Sequence, residues 1–117
     1  MASTSPLRYG RIVYAWIPDR HGHKKLRPAI VLTSNEELAV VEHFAVVAVT
    51  TTFADPPPEF CVPLPWHPRG HPITKLFKRS AAVCNWVASL NEAGIVGFGG
   101  DVPAKNMQII EAKLPEN

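Results

Sequence analysis

The chain has only two cysteines among its 117 residues, Cys61 and Cys84. Neither has a partner at metal-ligand spacing, so both read as small buried hydrophobes rather than as ligands or a disulfide. No apolar run approaches the ~20 residues that cross a bilayer, and Met1 to Ser5 lack the charged start and long apolar core of a secretory signal. A cytoplasmic protein without membrane contact is therefore expected. Charge excess is small, +2 at neutral pH, and a net charge of that size does not by itself announce a polyanionic partner. There is no G-x-S-x-G, no phosphate-binding G-x-x-x-x-G-K and no paired-carboxylate constellation; Glu36, Glu37 and Glu42 stand together in a separate segment. Standard hydrolase and nucleotide-binding readings lose support. Repeats, low-complexity stretches and linkers are also missing, which leaves a single domain over residues 1–117.

What is present is a succession of short β-branched runs. Arg11 to Trp16 is one, ending at Pro18 and followed by the polar turn Asp19-Arg20-His21-Gly22-His23. Pro28 opens a second, Ala29 to Thr33, bounded by the Ser34-Asn35 turn signal. The densest is Phe44 to Thr52, which stops before Asp55-Pro56-Pro57-Pro58, a stretch poor in ladder donors. Glu59 to Leu64 is a further strand, with Pro63 hinting at an edge, and Ser80–Cys84, Trp86–Leu90 and Gly94–Gly97 are shorter ones. Asp101-Val102-Pro103 then opens a helical pattern carried by Met107, Ile109, Ile110 and Leu114. The expectation is a mainly β fold, a small barrel spanning about residues 10–100 with one C-terminal helix over about 103–114.

Positive charge is unevenly placed. Arg8, Arg11, Arg20, Lys24, Lys25 and Arg27 face a single acid, Asp19, and a second island holds Arg69, Lys75, Lys78 and Arg79 with no Asp or Glu between Phe60 and Asn91. If the fold brings the two islands together they form a cationic trough interleaved with histidines and Trp66, as a single-stranded nucleic acid would require; otherwise they are solvated loop charges. Arg27 precedes Pro28 and a strand, so its backbone is restrained and its planar fork suits phosphate. His21 and His23 lack a third ligand and read as a proton-transfer loop rather than a zinc site. Thr50, Thr51 and Thr52 are good strand formers whose hydroxyls could bond a phosphate oxygen at the strand end.

Taken in order, Gly10-Arg-Ile-Val-Tyr14, the basic loop, Arg27-Pro28-Ala-Ile-Val-Leu32, the strand ending Thr50-Thr51, Phe60-Cys-Val-Pro-Leu64, Val83-Cys84-Asn85 and a Pro-started helix resemble the MazF/PemK family of toxin endoribonucleases over nearly the whole chain. The resemblance implies an SH3-like barrel, usually a homodimer, whose cleft takes single-stranded RNA or a cognate antitoxin and needs no metal or cofactor. It implies Arg27 and Thr50 as the active pair, with His21 an auxiliary proton donor, and attack of a ribose 2′-OH on its own phosphodiester. Arg20, Lys24, Lys25, Lys75, Lys78, Arg79 and Thr51 are the expected RNA contacts. In the PemK/Kid branch an arginine and an aspartate serve as acid and base where this chain has Val83 and Asn85. A binding module without turnover is therefore the alternative expectation.

Overall fold

The computed structural model describes residues 6–115, so the reading of Met1 to Ser5 lies outside the described residues. Strands β1 (Arg11–Pro18), β2 (Lys24–Val31), β3 (His43–Thr50), β4 (Cys61–Leu64), β5 (Ser80–Asn91) and β6 (Ile95–Asp101) form one six-stranded antiparallel sheet in the order β4-β5-β3-β2-β1-β6. A one-turn helix α1 (Asn35–Leu38) precedes β3, and α2 (Ala104–Lys113) ends the fold. No helix among the described residues is long and apolar enough to cross a membrane.

The sheet curls because its connections force it to. β5 and β6 stand four strand positions apart, which in a flat sheet is ~19 Å. Only the short 3-10 turn Glu92–Gly94 joins them, and the steps from Asn91 to Ile95 reach at most about 14 Å. The sheet must roll up, and it does so as an open barrel: its outermost strands, β4 and β6, do not pair with each other.

Rolling explains why neighbouring residues of a strand are both buried. Ile12, Ile30, Val47, Val49, Val62, Leu64, Ala82 and Cys84 face one way, covered by Met107 and Ile110 of α2 and by Leu76. Val13, Ala15, Ile17, Ala29, Val31, Phe44 and Val46 face the other, the concave side, with Trp86, Leu90 and Ile95 at its margin. Both cysteines are free and buried, on opposite sides of the sheet.

Several boundaries differ from the sequence expectation. β2 begins at Lys24 rather than at Ala29, because Lys24–Pro28 pair with β1 alone. The ladder to β3 ends at Ala29, next to Pro28, which has no N–H to donate. β3 ends at Thr50, leaving Thr51 and Thr52 outside it. α1 stands where only a turn was expected; Ser34 caps it, its hydroxyl accepting from the Glu37 N–H at 3.2 Å.

Ser80–Cys84 and Trp86–Leu90 belong to one bent strand, not two. Val47 pairs with Val87 and Val49 with Ala82, so Val83, Cys84, Asn85 and Trp86 all stand opposite Ala48. This wide bulge bends β5 and separates its β4-paired half from a half whose outer edge is free.

α2 is fastened to the sheet by polar contacts at its C-terminal end. Lys113 Nζ donates to the Glu59 carbonyl at 2.8 Å, and the Tyr9 hydroxyl donates to Glu111 Oε2 at 2.7 Å. Partial burial, then the bond to Glu111 and its negative charge, push the Tyr9 phenol up to about 12 from the ordinary 10.0. A raised folded-state value means that this contribution to stability is complete below pH 10 and is lost as pH climbs through about 12. Thermal melts across that window should fall more steeply for the wild type than for Tyr9→Phe; parallel curves would contradict the coupling.

Candidate functional site

Arg27 lies within β2 opposite Ala15, on the concave side with Ala29. Its guanidinium carbon sits 4.7 Å from the centre of the Trp86 ring, and its Nε donates to the Ile17 carbonyl at 3.3 Å. Trp86 is held in turn, its indole N–H donating to the Pro18 carbonyl at 3.2 Å. The bulge in β5 lifts Trp86 across the barrel mouth to meet β1. Arg27 is thereby stacked on one face and tied at one nitrogen, while its two terminal nitrogens make no hydrogen bond to any described residue. A half-buried fork fixed in this way suits an oxyanion with two oxygens to offer.

Thr50 lies at the same end of the sheet. The β2–β3 ladder runs Val31↔Val46, Ile30↔Val47 and Ala29↔Ala48 and stops there, two residues short of Arg27 on β2 and of Thr50 on β3. Alternation from Phe44 and Val46 puts Thr50 on the concave side too. Its hydroxyl closes a small turn at the strand end, accepting from the Thr52 N–H at 3.1 Å and donating to the Thr52 carbonyl at 3.2 Å. Thr51 is exposed beyond the strand.

A cleft of ≈ 780 Å³ opens between the β1–β2 turn and the bulged half of β5; Trp86, on which Arg27 stacks, lines it, while Arg27 and Thr50 themselves do not. Arg20 and His21 line one wall; Val83, Asn85 and Trp86 line the other, with Phe60. The turn is shaped by Asp19, whose Oδ1 accepts from the His21 and His23 N–H groups at 2.8 and 3.0 Å. Desolvation alone would raise the Asp19 carboxyl, but those two backbone donors and the nearby imidazoles outweigh it and hold it below the ordinary carboxylate range. Lys24 and Lys25, exposed at the start of β2, flank the same turn opposite Pro18 and Ile17. His21, Arg20, Lys24, Lys25 and Arg27 thus gather on one hairpin. Among the described residues, no three His, Cys, Asp or Glu side chains cluster as a metal set.

The second basic island does not line this cleft. Lys75 and Lys78 are exposed on the 65–79 loop, which is joined to β6 where the Ile73 and Thr74 carbonyls accept from Asp101 and Gly100 at 2.9 and 3.1 Å. Arg79 is committed elsewhere: it stacks 3.8 Å from the Phe53 ring centre and donates to the Phe53 and Ala54 carbonyls at 3.1 and 3.2 Å. It braces the segment that follows Thr50. Trp86 and Phe60 are the site residues that sequence reading passed over, since each sits in an apolar run that reads as core; the only hint was polar Asn85 interrupting such a run.

A family profile for the PemK-like, MazF-like toxin of type II toxin–antitoxin systems matches residues 8–117. No curated protein sequence matches the chain. Among solved structures, MazF (Form-I) from Deinococcus radiodurans superposes with a TM-score of 0.74 at 21% identity, covering 95% of this chain and 94% of that one. The MazE-MazF complex (Form-III) from the same organism gives 0.70 at 19% identity, covering 94% of each chain. An endoribonuclease in complex with its cognate antitoxin, from a mycobacterial species, gives 0.69 at 17% identity over 94% of this chain and 91% of that one. At these identities the superpositions establish a shared fold.

Proposed function

This chain belongs to the PemK-like, MazF-like toxins of type II toxin–antitoxin systems, and from that membership and the Arg27–Trp86 stack at the cleft wall we propose that it is an endoribonuclease that cleaves single-stranded RNA without a metal. The observation that carries the reading is the Arg27 fork, held on Trp86 at the wall of the cleft and tied at Nε, with no hydrogen bond from either terminal nitrogen to any described residue.

In this mechanism a ribose 2′-OH attacks the adjacent phosphorus, losing its proton to solvent water as the new O–P bond forms, and the bond to the 5′-oxygen of the next nucleotide breaks. A 2′,3′-cyclic phosphate and a 5′-hydroxyl end result. Arg27 stabilises the charge that grows on the phosphoryl oxygens, an interaction stronger in the transition state than in the bound substrate. Thr50 turns its hydroxyl from Thr52 to hold one of those oxygens. His21, exposed on the cleft wall, supplies a proton to the leaving oxygen. Arg20, Lys24 and Lys25 hold the flanking phosphates. The 2′-OH nucleophile makes the activity specific for RNA, and the need to splay nucleotides confines it to single strands. In the cytoplasm the partners would be mRNA, a cognate antitoxin occupying the cleft, and a second copy of the chain as a homodimer. That solved MazE-MazF and endoribonuclease–antitoxin complexes share the fold supports the antitoxin part.

One observation favours a second reading, a module that binds RNA or antitoxin without cutting. Val83 and Asn85 line the cleft, and neither side chain transfers a proton at accessible pH. Incubating antitoxin-free protein with a long single-stranded RNA in excess EDTA decides between them. Discrete cuts ending in cyclic phosphate support the nuclease; intact RNA that is bound in a salt-sensitive way supports the module.

Trp86 separates orientation from charge. Trp86→Ala should lower kcat/KM by about tenfold, the scale of one desolvated cation–π contact. Trp86→Phe keeps a ring under Arg27 and loses only the bond to Pro18, so it should recover most of the rate. Equal loss in both variants would mean that the stack does not position Arg27.

A further inference from the structure

The 65–79 loop is built as firmly as a strand, although it contains none. His71 Nδ1 accepts from the Ile73 and Thr74 N–H groups at 3.1 and 3.3 Å, and the His71 carbonyl accepts from Lys75 N–H at 2.8 Å. The Leu76 carbonyl accepts from both His67 and His71 N–H at 3.0 and 3.1 Å. Thr74 is fully buried and donates to the Pro65 carbonyl at 2.8 Å. Lys75 is held at φ 63, a left-handed backbone that turns the chain tightly.

This rigid loop presents what a core would hide. Phe77 rests against Gly70, where even a methyl group would come within 3.1 Å of its ring, yet 61% of Phe77 is exposed. Trp66 is 42% exposed, and it lines a notch of ≈ 250 Å³ with Phe53, Asp55 and Arg79. Phe53 packs on the cluster that includes Val83 and is flanked by Trp86, so the notch adjoins the catalytic cleft. The same loop carries Arg69, Lys75 and Lys78, all exposed, in a stretch with no Asp or Glu from Phe60 to Asn91. Asp55 at the notch repels phosphate and accepts from base amino groups, which favours a base there over backbone.

Resting on the nuclease reading above, we propose that the 65–79 loop is a second contact for the same RNA strand, outside the cleft: bases stack on Trp66 and Phe77, and Arg69, Lys75 and Lys78 neutralise the phosphates between them. Aromatic faces among cations on an immobile backbone are the recognised means of holding a single strand with little sequence preference. The loop thereby lengthens the footprint, and a long RNA should be held more tightly than the cleft alone can hold it.

The test uses uncleavable 2′-O-methyl oligonucleotides of roughly 6 and roughly 18 nucleotides, below and above the reach of one such platform. Wild type should bind the long strand more tightly than multiple registers of the short one explain. Phe77→Ala and Phe77→Leu should each weaken the long strand at least about fivefold, the effect of losing one stacked base, and leave the short strand unaffected. Phe77→Leu keeps an apolar cover on Gly70, so its loss of binding reports the aromatic face rather than the fold. Lys75→Gln with Lys78→Gln should reduce the steepness of log K against log salt by about 1.4, ~0.7 for each phosphate contact. Unchanged long-strand affinity in Phe77→Leu, or no gain with length in wild type, overturns the proposal while short-strand binding keeps the cleft reading alive. Unchanged RNA affinity with lost affinity for an acidic antitoxin peptide overturns it in favour of a protein surface. Failure of both strands to bind overturns the cleft reading and this one together.

Discussion

Arg27→Ala should lower RNA cleavage by about 10²–10³-fold, the loss that follows when one preorganised donor to a developing oxyanion is removed. No other described cation is held on Trp86 as Arg27 is. Arg20 stands on an exposed turn, Lys24 and Lys25 are exposed at the start of β2, and Arg79 is bound to the Phe53 and Ala54 carbonyls. Arg27→Lys keeps the charge but loses the fork and the planar stack on Trp86, so it should fall between wild type and alanine. The fold should survive either change, because Arg27 is half-exposed and its only described hydrogen bond is to the Ile17 carbonyl. Steady-state kinetics beside thermal melts check both halves. Loss within about threefold, less than ~1 kcal/mol of transition-state stabilisation, would remove Arg27 from the chemistry.

Gly100→Ala should be the most damaging single change to stability, costing roughly 3 kcal/mol or more and lowering the melting temperature by roughly 10–20 °C. A methyl group there would be driven into the Ile73 carbonyl oxygen and to within 2.6 and 2.7 Å of the Thr74 carbonyl carbon and oxygen. All three are backbone atoms, so no side chain can rotate away. Relief requires lifting the 65–79 loop from β6, which breaks the bonds from Gly100 and Asp101 to Thr74 and Ile73. Gly97→Ala is the control: it lies in the same strand, and its added carbon meets nothing within 4 Å. A shift within about 0.5 kcal/mol is expected there. Similar melting for the two variants would contradict the packing described.

Much of this was legible in the chain itself. β-branched runs marked the strands, Pro63 marked β4 as the edge strand it is, and Pro103 marked the start of α2. Arg27 and Thr50 were paired through family resemblance; the β2–β3 ladder puts their strand ends at one end of the sheet but stops two residues short of each. The bulge at Val83–Trp86 was not legible, because β propensity marks each half of β5 and says nothing about residues left over between them. The support for Arg27 was equally hidden: the Trp86 indole reaches Pro18, 68 residues away in sequence. That the second basic island does not line the cleft beside the first was hidden for a related reason. Sequence shows which loops are charged, while the curl imposed by the short Glu92–Gly94 turn decides which loops meet.

The most direct test of a 2′-OH mechanism at this cleft is made on the substrate. Once the cut sites in a single-stranded RNA are mapped, a matched oligonucleotide carrying one 2′-deoxy nucleotide immediately 5′ to the scissile phosphate is incubated with the wild-type protein in EDTA. Cleavage at that position should vanish while binding is retained and uncut neighbouring sites remain available. Cleavage that persists at the deoxy position would show that water or a protein group attacks the phosphorus, and the assignment of Arg27 and Thr50 to an internal transesterification would be wrong.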